Sequence, residues 1–125
     1  MLFEIMAFVL LSHQPVQPAT EGVASYYTTA SSSTITASGE RFRDDALTCA
    51  MLDGEFGDYY LVVAKNGASV VCRLNDRGPY IKGRVIDLSE AAMRALHPRA
   101  GLVQVKVYHL GTDPPDIVSP SPVSW

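Results

Sequence analysis

The sequence predicts a small, mainly β domain: a closed or half-closed barrel of short strands with one helix. Several short runs rich in β-branched and aromatic residues are bounded by turn residues, which is typical of strands. One segment instead carries apolar residues at helical spacing. The chain has 125 residues, 47% of them apolar and 18% charged. That composition supports one domain with a core, and the length leaves no room for a second enzymatic domain.

The predicted strands lie at 22–27, 59–64, 69–74, 85–87 and 102–108. Asn66-Gly67 separates the second from the third, and this dipeptide between two such runs predicts a hairpin. We expect a type I′ turn there, because both of its central residues need a positive φ. The last strand alternates apolar and polar residues, which indicates that one of its faces is buried.

The helix is predicted over 88–96. Apolar residues recur at i, i+3, i+4, i+7 and i+8 from Leu88, and the alanines between them favour a helix. Asp87 or Ser89 can cap the first amide groups, and Pro98 marks the end. Helix capping accounts for Asp87, so we assign this residue a structural role.

Both ends of the chain read as appendages to a domain at 21–111. Residues 1–20 contain an apolar run at 5–11 with the length of a signal-peptide core, although no Lys or Arg precedes it. A signal peptide and a disordered tail are the two alternatives for this segment. Residues 112–125 are rich in Pro and Ser and are predicted to be disordered.

Charge and hydropathy exclude several partners. The net charge is −3 and there is no basic run, so no nucleic-acid partner is expected. No stretch approaches the ~20 apolar residues of a membrane-spanning helix, so no stable membrane insertion is expected. The three histidines lack the spacing of metal ligands, and we predict no metal and no cofactor.

Two carboxylates stand out as candidates for chemistry. Asp76 and Arg77 follow an apolar strand, and the turn at Gly78-Pro79 holds them at the rim where that strand ends. The alternative for this pair is an ordinary loop salt bridge. Glu40 lies in a second turn, at 37–42, where a solvated glutamate is the alternative.

The sequence resembles the rare lipoprotein A family of bacterial septal-ring lytic transglycosylases. The similarity extends in order and approximate spacing over 22–27 (GVASYY), 37–40 (ASGE), 47–50 (LTCA), 66–67 (NG), 70–80 (VVCRLNDRGPY) and 83–89 (GRVIDLS). It covers nearly the whole predicted domain. The resemblance implies a six-stranded double-psi β-barrel with one short helix, a barrel also found in expansins and barwin-like proteins.

The resemblance also implies an activity: cleavage of peptidoglycan glycan strands that lack stem peptides, without water, to anhydro-ended products. Asp76 would act as acid and then as base, with Glu40 stabilising positive charge or positioning sugar. Arg77 and Tyr80 would contact substrate. Such an enzyme is expected to be an exported monomer of the periplasm or cell envelope.

One position departs from the family pattern. Met51 stands where the family has a histidine, and a thioether is a poor hydrogen-bonding group in a substrate cleft. We therefore expect weakened or absent catalysis. The alternative function is a non-catalytic glycan-binding or expansin-like wall-loosening module on the same barrel. A third is an exported interaction domain in which the barrel is only a scaffold.

The cysteines form one possible pair. Cys49 and Cys72 are the only two and lie 23 positions apart. Cys72 falls in the predicted strand 69–74, and the family resemblance implies that Cys49 also lies on a barrel strand. In an exported protein they are a candidate disulfide. The alternative is two small buried apolar side chains, and a catalytic cysteine is not expected.

Overall fold

A computed structural model describes residues 16–114. It contains six strands and one helix: β1 Thr20–Tyr26, β2 Thr48–Ala50, β3 Tyr59–Ala64, β4 Ser69–Asp76, β5 Arg84–Leu88, α1 Glu90–Leu96 and β6 Val103–Gly111. The signal peptide or tail was predicted at 1–20. Its first 15 residues lie outside the part of the chain that the structure describes. The same holds for the predicted tail from position 115 onward.

The six strands close into a barrel in the order β1-β5-β2-β4-β3-β6. The β1–β5 and β2–β4 pairs are parallel, whereas the other four pairs are antiparallel. Closure pairs the outer strands β1 and β6 with each other, so the sheet has no free edge. The predicted mainly β barrel with one short helix is confirmed.

The core fills the barrel and extends under the helix. Alternate residues of β4 point inward, so Val70, Cys72 and Leu74 are buried while Val71 and Arg73 are only partly so. Helix α1 adds the buried side chains of Ala92, Met93 and Leu96. Burying each large aliphatic side chain contributes about 1.5–3 kcal/mol. The interior is mainly apolar, and the polar residues Asn75 and Asp76 lie at the carboxyl end of β4.

The β3–β4 hairpin is confirmed, but its predicted turn type is wrong. No non-glycine residue between 16 and 114 has a positive φ, so Asn66 does not, whereas Gly67 has φ 94°. The loop spans 65–68, and glycine alone takes the left-handed conformation there. The Asn66 side chain instead accepts from the Ala68 amide (2.8 Å) and donates to the Leu96 carbonyl (3.1 Å). The hairpin is thereby tied to the end of α1.

The helix begins later than predicted, and Asp87 does not cap it. Strand β5 extends through Leu88, which pairs with Cys49 of β2. Ser89 is the N-cap, and its Oγ accepts a hydrogen bond from the Ala92 amide. The capping role assigned to Asp87 is wrong because that residue belongs to a strand whose side chains alternate. The Asp87 carboxyl group is therefore not the cap of the helix.

Candidate active site

Asp76, the last residue of β4, is held by three hydrogen-bond donors. Its Oδ1 accepts from the backbone amides of Ala37 and Arg77, both at 2.9 Å. Its Oδ2 accepts from the Tyr27 hydroxyl at 3.1 Å. These donors come from three separate parts of the chain. The carboxylate is thereby fixed at the barrel rim in one orientation.

Tyr27 is a partner of Asp76 that the sequence did not single out. The residue directly follows β1, and its ring stacks on Phe42 with centroids 4.3 Å apart and planes 9° apart. Its pKa is raised, first by burial and then by the charge of Asp76 and the hydrogen bond to it. The hydroxyl therefore keeps its proton and donates to the carboxylate.

A second carboxyl group lies across strand β2. Ala50 pairs with Asp76 on one side and with Asp87 on the other, so the two aspartates flank the same residue. Ser25 Oγ donates to Asp87 Oδ1 at 3.0 Å. Burial raises the pKa of Asp87, and the charge of Asp76 adds to this, against lowering by Ser25 and Arg84. Asp87 therefore gives up its proton less readily than a solvated aspartic acid.

Glu40 is close in the fold but has a different partner. Its turn lies against the end of β4, where the Ser38 amide donates to the Asn75 carbonyl at 3.1 Å. The Glu40 carboxylate accepts from Arg73 Nη1 at 2.8 Å, and this hydrogen bond lowers the pKa of Glu40. The structure therefore brings its turn to Asp76 while its carboxylate pairs with Arg73.

Arg77 is turned onto the segment that follows β2. Its guanidinium donates to the carbonyls of Gly54 (2.7 Å) and Met51 (3.4 Å). The same group lies over the Phe56 ring, 4.2 Å from its centre. Arg77 thus fixes the 51–56 segment.

Met51 packs into the core and is only 6% exposed. It also lines a cavity of about 230 Å³, together with Ala19, Thr20, Leu52, Asp53, Gly54, Tyr60, Arg84 and Val85. Its amide donates to the Asp76 carbonyl at 3.3 Å. Met51 therefore adjoins the Asp76 backbone but offers the site a thioether alone.

Within residues 16–114, Tyr80 is the most exposed of the large apolar and aromatic side chains, at 79%. It follows Asp76 and Arg77 in the loop between β4 and β5. An exposed aromatic face of this kind can stack on a sugar ring.

Within 16–114, no cluster of three or more His, Cys, Asp and Glu side chains is arranged to hold a metal ion. His97 accepts from the Arg99 and Ala100 amides, and His109 pairs with Asp58 at 2.7 Å. These contacts account for the histidines of the barrel. In the same part of the chain no helix has the length and apolar character to cross a membrane.

Residues 19–107 match the protein-family model described as lytic transglycolase. The chain belongs to this family. It is 50% identical over 76 residues to the probable endolytic peptidoglycan transglycosylase RlpA of Synechocystis sp., covering 60% of this chain and 24% of that one. It is 43% identical over 95 residues to a Nostoc sp. protein with the same name, covering 73% and 26%. The chain therefore spans about a quarter of the length of these relatives.

Solved structures show the same fold as this lytic transglycolase family member. An expansin from Clavibacter michiganensis aligns with a TM-score of 0.58 at 22% identity, covering 80% of this chain and 52% of the expansin. The Streptomyces papain inhibitor aligns with a TM-score of 0.59 at 20% identity, covering 77% and 99%. The predicted double-psi barrel and the resemblance to the rare lipoprotein A family are confirmed.

Two residues of the candidate site, Tyr27 and Asp87, were not predicted from the sequence. Asp87 carries a usable signal, since it lies between Ile86 and Leu88, which are both fully buried. Strand alternation then turns Asp87 to the opposite face, next to Ser25 of the parallel strand. Tyr27 carries no such local signal, because its contact with Asp76 joins residues 49 positions apart.

Cys49 and Cys72 of the family barrel are free thiols, and both are buried. Burial raises the pKa of Cys49, and the neighbouring Cys72 thiol adds to this. The disulfide between them stays a prediction.

Proposed function

We propose that this barrel is an endolytic peptidoglycan lytic transglycosylase that cleaves glycan strands lacking stem peptides and leaves anhydro ends. The observation that carries the proposal is the Asp76 carboxyl group, fixed at the end of β4 by three donors. The names of the Synechocystis and Nostoc relatives support it. Peptidoglycan lies outside the cytoplasmic membrane, so the protein acts after export, in the cell envelope. It acts there as a monomer.

The chemistry needs one proton delivered and one removed. Protonation of the glycosidic oxygen assists its departure while positive charge develops at the anomeric carbon. The 6-hydroxyl of the same sugar then attacks that carbon and gives up its proton to a carboxylate. In the simplest scheme Asp76 performs both transfers. Its fixed orientation is what such positioning requires, since the group need not reorganise during the reaction.

Other side chains around Asp76 have supporting roles. Glu40 adds negative charge near the developing cation or positions the sugar, from its place beside Arg73. Tyr80 offers an exposed ring for stacking on the glycan. Arg77 holds the 51–56 segment that borders the site.

Met51 reduces the rate rather than abolishing it. Where the family has a histidine, this thioether supplies no strong hydrogen bond to substrate or to Asp76. The carboxyl groups needed for proton transfer do not depend on that position. Weak activity is therefore the proposed outcome.

Digestion of purified, stem-peptide-free glycan strands tests the proposal. The full chain is compared with Asp76→Asn and with the matched control Asp45→Asn, whose exposed carboxylate pairs only with Arg43. Mass spectrometry should find anhydro-ended fragments from the parent and the control. Asp76→Asn should lose about 10²–10⁴-fold in rate, the usual contribution of a general acid–base group. Equal product from Asp76→Asn and the parent would refute the assignment.

A non-catalytic glycan-binding or wall-loosening module is the second candidate. It is favoured by the Glu40–Arg73 ion pair, which occupies one of the two carboxylates that the enzyme would use. In the same experiment this candidate predicts that neither parent nor Asp76→Asn releases fragments, while both sediment with insoluble peptidoglycan. Products from the parent would exclude it.

A further inference from the structure

Two aspartates, rather than one, flank the same residue of β2. Ala50 is the register partner of both Asp76 on β4 and Asp87 on β5. Neighbouring strands are ~4.8 Å apart, so the two aspartates lie about two strand spacings from each other in the sheet. The charge of Asp76 is felt at Asp87. Only one of these two groups has a role in the scheme above.

The two environments differ in a way that suits opposite tasks. Asp76 accepts three hydrogen bonds, so both of its carboxyl oxygens act as acceptors. Asp87 has a single donor, Ser25, and is partly buried between β1 and β2. Burial raises its pKa. Two carboxyl groups in such different hydrogen-bonding environments commonly divide the acid and base roles.

We propose that Asp87 is a second catalytic carboxyl group, the proton donor, and that Asp76 serves as the base. This inference rests on the proposed transglycosylase function and deepens it. It assigns the first proton transfer to a residue on β5. The site then has the two groups that the reaction needs even though position 51 is a methionine.

The proposed cycle balances. The Asp87 carboxyl proton passes to the glycosidic oxygen, which takes the bonding electron pair as its bond to the anomeric carbon breaks. The 6-hydroxyl oxygen of the same sugar bonds to that carbon, and its proton passes to the Asp76 carboxylate. Before the next turnover solvent removes the proton from Asp76 and returns one to Asp87. No water enters the products.

The charged and titratable groups around Asp87 come from every strand beside it. Ser25 of β1 donates to it, and Arg84 of β5 lowers its pKa. Asp76 of β4 raises it, and Tyr27, at the end of β1, is in turn affected by the charge of Asp87. Activity should therefore fall as the pH rises through the pKa of Asp87, with a midpoint above the ordinary aspartate value.

A leaving-group comparison tests the donor role directly. The full chain, Asp87→Asn, Asp76→Asn and Asp45→Asn are assayed on stem-peptide-free glycan strands and on a dinitrophenyl glycoside of an N-acetylmuramic-acid-ended oligosaccharide. Dinitrophenolate departs without being protonated, so this substrate needs the base but not the acid. Asp87→Asn should lose about 10²–10⁴-fold on glycan and far less on the aryl substrate. Asp76→Asn should lose both activities.

Equal losses of Asp87→Asn on the two substrates, or no loss on either, would overturn the donor role. A parent that cleaves neither substrate would instead remove the proposed function, and this inference with it. If the parent is active and Asp76→Asn is not, the proposed function survives whatever Asp87→Asn shows. The two failures are thus distinguishable.

The melting temperature of Asp87→Asn distinguishes a catalytic Asp87 from one that only supports the fold. Because burial raises the folded-state pKa of Asp87, ionisation of this group above its unfolded pKa opposes folding. Asp87→Asn removes that cost and should raise the melting temperature at pH 7, by an amount that shrinks as the pH falls toward about 3.9. A lower melting temperature at pH 7 would mark Asp87 as structural and contradict the proposal.

Ser25→Ala tests the same assignment without changing either carboxyl group. The Ser25 hydroxyl lowers the pKa of Asp87, so its removal should move the alkaline limb of the rate profile to higher pH. An alkaline limb that stays in place while the protein remains folded would contradict the role of Asp87.

Discussion

Among the described residues, the Tyr27 hydroxyl is the one side-chain donor to Asp76, and its ring stacks on Phe42. We predict that Tyr27→Phe keeps the ring stack but leaves Asp76 with backbone donors only. Loss of a hydrogen bond to a charged group costs about 1.5 kcal/mol. The cleavage rate should fall about tenfold, the fold-change that about 1.4 kcal/mol represents.

The matched control for Tyr27→Phe is Tyr26→Phe. It removes the same atom from the adjacent residue, whose ring lies under Arg94 rather than beside Asp76. Steady-state release of anhydro fragments measures both variants. If the two variants lost the same activity, the Tyr27–Asp76 contact would have no specific catalytic value.

At the scale of residues, the sequence pointed to some residues of the candidate site and not to their partners. Asp76 was recognisable because two charged residues directly follow an apolar strand and precede Gly78-Pro79. The partner of Glu40 was not, because Arg73 lies 33 positions away and meets it only through the folded turn. Asp87 was misassigned because Ser89, two residues later, competes for the same capping role. Contacts between strands, rather than local pattern, decide these roles.

The backbone conformation of the 51–56 segment, which Arg77 holds in place, requires a glycine at position 54. Gly54 has φ 102°, and a Cβ there would collide with the Tyr60 hydroxyl and come within 2.9 Å of Leu74 Cδ2. Both neighbours are buried, so they cannot move away cheaply. We predict that Gly54→Ala destabilises the barrel by about 3 kcal/mol, combining backbone strain with overpacking.

Gly57→Ala is the matched control for Gly54→Ala. Gly57 has a similar φ of 96° but open space around its missing Cβ, so only the backbone strain of about 1 kcal/mol applies. Urea denaturation of both variants measures the difference. Equal destabilisation would show that strain alone, and not the contact with Tyr60 and Leu74, makes glycine necessary at position 54.

At the scale of elements, most strands were predictable from the runs of β-branched and aromatic residues. The hairpin was found from Asn66-Gly67, although the turn itself has Gly67 alone in the left-handed conformation. Strand β2 was identifiable only through the resemblance, since Thr48–Ala50 is too short for a periodic signal. The helix start was misplaced because Leu88 fits a helical face and also the buried side of β5.

At the scale of the whole molecule, a disulfide between the two buried thiols would link β2 to β4. Cys49 and Cys72 are both buried inside the barrel, and the Cys72 thiol is close enough to raise the pKa of Cys49. If export exposes them to a disulfide-exchanging oxidase, the two thiols give up two protons and two electrons to it. We predict that the link adds about 3 kcal/mol, the value expected for a loop of this length.

Intact mass and thermal melting measure that link. Protein recovered from the periplasm should be two hydrogens lighter than the reduced form and should lose melting temperature on reduction. The double variant Cys49→Ala/Cys72→Ala is the control and should not respond to reductant. An unchanged mass would show that the barrel keeps both thiols free.

The order of strands around the barrel was beyond local sequence reasoning. Two parallel pairs, β1–β5 and β2–β4, join strands that are distant along the chain. Only the family resemblance supplied that topology. It is also this closure that sets Asp76 and Asp87 on either side of Ala50, so the proposed chemistry is a property of the whole barrel.

Product analysis in heavy-oxygen water tests the central claim most directly. The full chain is incubated with stem-peptide-free glycan strands in water enriched in the heavy isotope, and the fragment ends are read by mass spectrometry. A lytic transglycosylase closes the anhydro ring with the sugar's own hydroxyl, so its new ends should be one water lighter than hydrolysed ends and carry no heavy oxygen. New ends that contain heavy oxygen, or glycan that is bound but never cleaved, would contradict the account.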